Sequence, residues 1–173
     1  TAQLLGWCQQ EDCYIASINA FPYGQFHNSV IKEQVYLPDW RSYKRVNYSL
    51  QVGRLLSRLL PTGYLGAIST VPIAFKSKFN EADLPLVRQN LISLLEGYDS
   101  LRQQSGRQLC LALEPEPGCL LETTEEVCRF FEWLKLPASL RGCLGICFDC
   151  CHEAVAFENP ITSLQMLAEA EIP

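Results

Sequence analysis

The feature that most constrains the fold of this sequence is the alternation of short apolar runs with longer segments of helical periodicity. After an opening helical segment, a strand-like run followed by a helix-like run occurs four times in 173 residues. This alternation indicates a parallel sheet with helices packed outside it. Two architectures fit the pattern, an open doubly wound sheet and part of a (β/α) barrel, which when complete has eight such units in roughly 250 residues. We predict that residues 1–173 form a single domain, a partial (β/α)8 barrel with four units.

Local signals place the boundaries of the predicted elements. The four predicted strands are residues 13–19, 65–71, 108–114 and 142–149. Asp39 is a candidate N-cap for the helix that follows the first strand, and Gly106 is a natural end for the next helix. Thr123 and Glu126 have the spacing of a capping box. Pro160 is suited to open the last helix.

Two of the predicted strands end in a carboxylate. Because successive strand residues face opposite sides, Glu114 and Asp149 each lie on the face opposite the bulky residues of their own strand. Functional residues of parallel α/β folds lie at the carboxyl ends of strands. Together the two acids would form an anionic site suited to a divalent metal, Mn, Mg or Zn. The alternative is that each acid caps the loop or helix that follows it.

His152 follows Asp149 by three residues and falls in the loop after the fourth predicted strand. An imidazole at this position could be a third metal ligand or a proton carrier. We therefore predict Glu114, Asp149 and His152 as metal ligands, with Glu114 and His152 as the candidate catalytic groups.

Five residues are candidates for substrate binding. Asn19 ends the first predicted strand, and the loop after it contains Phe21, Tyr23 and His27. Aromatic side chains in such a loop can form an apolar wall for a ring or a sugar face. Packing of these residues on the rim of the fold is the alternative. Lys76 follows the second predicted strand, where it could reach an anionic group of a ligand or remain solvated.

The nine cysteines are predicted to be thiols, because a disulfide framework is typical of small secreted chains and several of these cysteines lie in apolar runs. Cys147, Cys150, Cys151 and His152 superficially suggest a zinc site. A structural zinc site needs a closed set of four ligands. Cys147 lies within a predicted strand while its neighbours lie in a loop, which disfavours such a site.

The charge and hydropathy of the chain exclude several classes of function. The net charge is −5 and the basic residues are scattered, whereas nucleic acids and anionic membranes are bound by clustered basic residues. No apolar run reaches the ~18 residues needed to span a bilayer, and residues 1–10 do not resemble a secretory signal. We expect a cytoplasmic protein that binds a small-molecule metabolite, with no nucleic acid and no membrane as partner.

Several segments resemble those of the EboE-type metabolite traffic proteins, which belong to the xylose-isomerase-like barrel superfamily. The resemblance runs across nearly the whole chain, and its most specific motif is the first of the segments. These segments are Asn19-Ala-Phe-Pro-Tyr-Gly-Gln-Phe-His27, Val35-Tyr-Leu-Pro-Asp-Trp-Arg41, Ile68-Ser-Thr-Val-Pro72, Leu113-Glu-Pro-Glu-Pro117 and Phe148-Asp-Cys-Cys-His152.

The resemblance implies a metal site and a class of activity. In that superfamily a Glu on the fourth strand and an Asp on the fifth bind a divalent metal, with a His three residues later. Glu114, Asp149 and His152 match those positions. The implied function is a metal-dependent isomerase or epimerase for a sugar-like or hydroxy-carbonyl metabolite, in secondary-metabolite processing or traffic. A non-catalytic metabolite-binding or carrier protein on the same fold is the alternative, so whether the chain is an enzyme stays open.

The Asp-x-x-His motif also resembles endonuclease IV, but the match is incomplete. That enzyme has His ligands on its second and third strands, where this chain carries Asn19 and Ser69 or Thr70. The acidic charge further disfavours a nuclease. The remaining ligands of the superfamily lie on its sixth to eighth strands, so we expect weak metal binding by this chain. Because a half barrel leaves sheet edges unpaired, we also expect self-association or a longer parent chain.

Overall fold

The computed structural model describes residues 2–23 and 35–173, which form an α/β structure. Its strands are β1 (Ser17–Asn19), β2 (Leu65–Thr70), β3 (Gln108–Leu113) and β4 (Leu144–Ile146). The α-helices of these residues are α1 (Ala2–Gln10), α2 (Tyr43–Leu59), α3 (Leu84–Ser105), α4 (Thr124–Leu134), α5 (Ala138–Arg141), α6 (Cys150–Val155) and α7 (Pro160–Glu169). Short 3₁₀ turns precede α3 at Lys76–Lys78 and Glu81–Asp83.

The four strands form one parallel sheet in the order β1-β2-β3-β4. One row of the sheet contains Asn19, Ser69, Ala112 and Gly145, paired in register across the four strands. Residues paired in this way point to the same face. Glu114 comes two residues after Ala112, so the alternation of side chains directs it to that face as well.

The opposite face of the sheet carries the apolar core. Leu109, Leu111 and Leu113 of β3 are fully buried there, together with Leu56 of α2 and Leu94 of α3. Burial of one such side chain stabilises the fold by roughly 1.5–3 kcal/mol. The core therefore holds β3 rigidly, and β3 is the strand that delivers Glu114.

Most of the predicted helix boundaries are confirmed. Thr123 and Glu126 make both hydrogen bonds of a capping box at the start of α4. Gly106 adopts a left-handed conformation (φ 67°) after α3, and Pro160 is the first residue of α7. The prediction for Asp39 is wrong. Ser42 caps α2, because the Asp39 carboxylate is engaged by Arg41, whose Nη2 lies 2.7 Å away.

The two outer strands are shorter than predicted. β1 covers only Ser17–Asn19, and both of its end residues are exposed rather than buried. β4 ends at Ile146, so Asp149 lies outside the strand and begins α6, a helix that the sequence analysis did not predict. On the outer edge of β4, the amide of Ile146 donates to the carbonyl of Pro173 at 2.9 Å. Strand length here depends on pairing between distant segments, which local sequence does not encode.

Candidate metal centre

Glu114 lies directly after β3, at the carboxyl edge of the sheet. Its amide donates to the carbonyl of Thr70 at 3.0 Å, which extends the ladder between β2 and β3. Its half-buried carboxylate accepts a hydrogen bond from the Ser69 side chain on β2. Burial raises the pKa of Glu114, and the charges of Asp149 and Glu116 add to that rise, although His152 and Ser69 oppose it. Glu114 therefore retains a proton to higher pH than an ordinary glutamate.

Asp149, a predicted metal ligand, is the N-cap of α6. Its Oδ1 accepts hydrogen bonds from the amides of Cys151 at 2.7 Å and His152 at 3.3 Å. Burial acts to raise the pKa of Asp149, but these two backbone bonds and His152 outweigh it, so the pKa lies below its ordinary value. The carboxylate is thus ionised at neutral pH. Its second oxygen, Oδ2, lies 3.7 Å from Nε2 of His152.

His152 is oriented by the backbone at the end of β3. Its Nδ1 lies 2.8 Å from the carbonyl oxygen of Pro115. A carbonyl can only accept a hydrogen bond, so Nδ1 carries the proton and the lone pair of the neutral ring is on Nε2. Donation from one ring nitrogen to a carbonyl is the arrangement that orients histidines which ligate metals. The lone pair of Nε2 consequently lies beside the Asp149 carboxylate.

The structure brings the three predicted metal ligands together. One ligand atom each from Glu114, Asp149 and His152 lies within 4.8 Å of the other two. Ligands placed about 2.0–2.2 Å from one ion lie roughly 3–4.4 Å apart, so the separation is close to that of a coordinated set. The gap of 3.7 Å between Asp149 and His152 exceeds a hydrogen bond and matches two ligands of a shared ion.

The predicted substrate-binding residues of the first loop have different environments. Asn19 lies at the end of β1, and its side-chain oxygen accepts from the amide of Phe21 at 2.9 Å. Phe21 is buried in the core cluster and packs edge-on against Tyr36. Tyr23 is exposed and packs edge-on against Tyr48, with ring centroids 5.0 Å apart. The fourth predicted residue, His27, lies outside the described residues.

Lys76 follows β2 as predicted, but its charge is engaged by two acids. Its Nζ lies 3.0 Å from Glu122 and 2.9 Å from Glu126. Glu126 is also the capping-box residue of α4, so these ion pairs join the turn after β2 to the start of α4. A ligand would have to compete with two carboxylates for this ammonium group.

Sequence reasoning missed the residues that support the cluster. Ser69 holds the Glu114 carboxylate, and the carbonyl of Pro115 sets the tautomer of His152. Cys147 is half-buried nearby, where burial and the charges of Glu114 and Asp149 raise its pKa. Ser69 could have been found from the in-register pairing of β2 with β3. A backbone carbonyl such as that of Pro115 has no signature in the sequence.

Sequence reasoning also missed Arg45 of α2, whose side chain is fully buried. Its guanidinium donates to the carbonyls of Ala20 at 2.9 Å, Phe21 at 3.0 Å and Pro38 at 2.6 Å. Burial lowers the pKa of Arg45 to about 10, and it remains charged at neutral pH. Arg45 thereby joins the chain just after β1 to the segment that enters α2.

Glu114, Asp149 and His152 are each partly exposed. A groove of about 730 Å³ lies elsewhere, lined by Phe131, Leu136, Ile172 and other residues of α4 and the end of the chain. Within residues 2–23 and 35–173, no helix combines the length and the apolarity that crossing a membrane requires.

Comparison of the chain with protein-family models and with curated proteins gives no match. The fold and the geometry of the cluster define an α/β protein with a candidate divalent-metal centre.

Proposed function

We propose that this chain supplies four units of a xylose-isomerase-like (β/α) barrel of the EboE type. The order of its strands supports this proposal. In a doubly wound sheet the strand order reverses at a switch point, whereas in a barrel each strand lies beside the one before it. The order β1-β2-β3-β4 follows the barrel pattern.

The chain would bind a divalent ion, Mn, Mg or Zn, through Glu114, Asp149 and His152. The observation that carries this proposal is the cluster of their ligand atoms within 4.8 Å at the carboxyl ends of β3 and β4. Two carboxylates and one imidazole suit these ions. The proton on Nδ1 of His152 leaves Nε2 available as a ligand.

The activity we propose is isomerisation or epimerisation of a sugar-like or hydroxy-carbonyl metabolite. When bound, the ion would polarise a substrate carbonyl and stabilise developing negative charge. When their environments give two neighbouring acids different pKa values, the two acids can take different roles in catalysis. Asp149, with its lowered pKa, is the permanent anion. Glu114, with its raised pKa, is suited to take and return a proton next to the carbonyl where the ion is held by other groups, because a carboxylate that binds the ion is a poor proton acceptor.

The ion pairs of Lys76 favour a neutral substrate. Lys76, the candidate for binding an anionic group, is held by Glu122 and Glu126. The net charge of −5 opposes binding of nucleic acids. We propose a small metabolite as the partner and, because all nine cysteines are free thiols, the cytoplasm as the location.

Metal titration followed by a substrate panel tests this function. Calorimetric titration with Mn²⁺ should show binding to the wild type, and Glu114→Gln should weaken it at least about tenfold, since it removes one charged ligand. Glu125→Gln is the matched control. It also removes one carboxylate, but Glu125 is exposed on α4, where it lies 3.7 Å from Arg129, and it does not belong to the metal cluster. Exchange of substrate C–H hydrogen with deuterated water on ketoses and aldoses would support the enzyme. Tight metabolite binding without exchange would instead identify a carrier, and absence of Mn²⁺ binding would refute the metal-dependent enzyme.

A further inference from the structure

The end of helix α1 places two thiols side by side. α1 ends at Gln10, and Asp12 adopts a left-handed conformation with φ 49°. The amide of Cys13 donates to the carbonyl of Cys8 at 2.9 Å. A left-handed residue together with this six-to-one hydrogen bond defines a Schellman motif, in which Cys8 is the third residue from the end of the helix and Cys13 the second after its cap.

This motif brings the side chains of those two positions into contact. In most proteins the contact is apolar, but here both residues are cysteines, and the thiol of Cys13 forms a hydrogen bond with Cys8. Cys8 is 5% exposed, whereas Cys13 is exposed. The Cys13 thiol is therefore accessible to a reagent in solution, and the buried Cys8 thiol lies next to it.

We propose that Cys8 and Cys13 form a site of reversible thiol oxidation, which closes a disulfide across the end of α1. The reaction needs a low-molecular-weight disulfide, such as oxidised glutathione. Desolvation and the hydrogen bond with Cys8 raise the pKa of Cys13, so mildly alkaline solution is needed to remove its proton. The Cys13 thiolate then attacks one sulfur of oxidised glutathione, whose S–S bond breaks, and one glutathione leaves as a thiolate and takes up a proton. Cys8 then loses its proton and attacks the sulfur of Cys13, releasing the second glutathione. The protein is oxidised by two electrons and oxidised glutathione is reduced to two thiols.

Five of the other cysteines do not combine an exposed thiol with a second thiol beside it. Cys110, Cys119 and Cys143 are buried, so a reagent in solution does not reach them. Cys150 and Cys151 are both exposed, but they are successive residues of α6. Successive helical side chains do not face each other.

The disulfide would join α1 to the segment that leads into β1. Tyr14 follows Cys13 directly and packs against Tyr64, with ring centroids 5.0 Å apart. Three residues further on, β1 begins its pairing with β2. Oxidation would thus cross-link the end of α1 to the segment that leads into the first strand of the sheet.

Mass spectrometry can test this proposal directly, because trypsin releases residues 1–32 as one peptide whose two cysteines are Cys8 and Cys13. Reduced protein is incubated with oxidised glutathione at mildly alkaline pH, quenched with acid, alkylated in denaturant and digested. We expect the wild-type peptide to carry no alkyl group and to be lighter by two hydrogen atoms. Cys8→Ser should instead accumulate a glutathione adduct on Cys13. A stable adduct in the wild type, or full alkylation of both cysteines, would overturn the proposal.

A matched pair of variants tests the role of the Schellman geometry. Asp12→Gly and Asp12→Val remove the same charge, but only glycine readily adopts the left-handed conformation. Closure of the disulfide should be at least about fivefold slower in Asp12→Val than in Asp12→Gly. Circular dichroism checks that both variants are folded. Equal rates would show that the motif does not bring the thiols together.

Discussion

The two roles of Asp149, helix cap and metal ligand, can be separated by substitution. Asn caps helices about as well as Asp, so Asp149→Asn can keep the hydrogen bonds from the amides of Cys151 and His152. It removes the negative charge beside Nε2 of His152. Asp149→Ala removes both the cap and the charge.

The expected magnitudes differ between the two measurements. For unfolding in urea, Asp149→Asn should change the free energy by less than about 0.5 kcal/mol, and Asp149→Ala should cost about 1 kcal/mol. For Mn²⁺ binding by calorimetry, both variants should bind at least about tenfold more weakly than the wild type, which corresponds to about 1.4 kcal/mol. Because its lowered pKa keeps Asp149 ionised at neutral pH, each substitution removes a full negative charge there.

One result would refute this reasoning. If Asp149→Asn binds Mn²⁺ as tightly as the wild type while Asp149→Ala is destabilised, Asp149 is a helix cap and not a ligand. A loss of stability in Asp149→Asn comparable to that in Asp149→Ala would show that charge, rather than hydrogen bonding, supports the start of α6.

Three further predictions concern stability. Thr123→Ala should lower the free energy of unfolding by about 1 kcal/mol, because it removes one half of the capping box of α4; an unchanged urea midpoint would contradict this. Gly53→Ala should destabilise, since the added carbon meets the ring of Tyr98 and overpacking costs about 1–3 kcal/mol, more than the ~1 kcal/mol gained in helix propensity; a raised melting temperature would refute it. Burial acts to raise the pKa of Glu126, but hydrogen bonds from Lys76 and the backbone lower it overall. The ionised Glu126 side chain therefore stabilises the folded state above the pKa of Glu126 in the unfolded chain, and this stabilisation is lost as pH falls through its pKa in the folded chain. In Glu126→Gln the free energy of unfolding should therefore fall less steeply at acidic pH than it does in the wild type. The same slope in both proteins would count against this ion pair.

Several features of the fold could be predicted from sequence because their causes are local. Gly106 ends α3 since it can adopt positive φ, and Thr123 with Glu126 starts α4 through bonds within four residues. The alternation of residues along a strand also directs Glu114 to the face opposite the leucines of β3. Each of these inferences needs only neighbouring residues and the geometry of the backbone.

The extent of the outer strands and the surroundings of the candidate site were decided by tertiary structure. β1 and β4 end where their pairing with β2 and β3 ends, and that pairing joins segments far apart in the chain. Lys76 is engaged by acids 46 and 50 residues away.

By itself, the sequence determined which residues could bind a metal and, for Glu114, on which face of the sheet the side chain lies. Only the tertiary structure decided how they are arranged. Asp149 begins a helix instead of ending a strand, and His152 is oriented by the carbonyl of Pro115, 37 residues earlier. The physical reason is that residue type and alternation act along the chain, whereas a tautomer and a distance between ligand atoms depend on groups that only folding brings together.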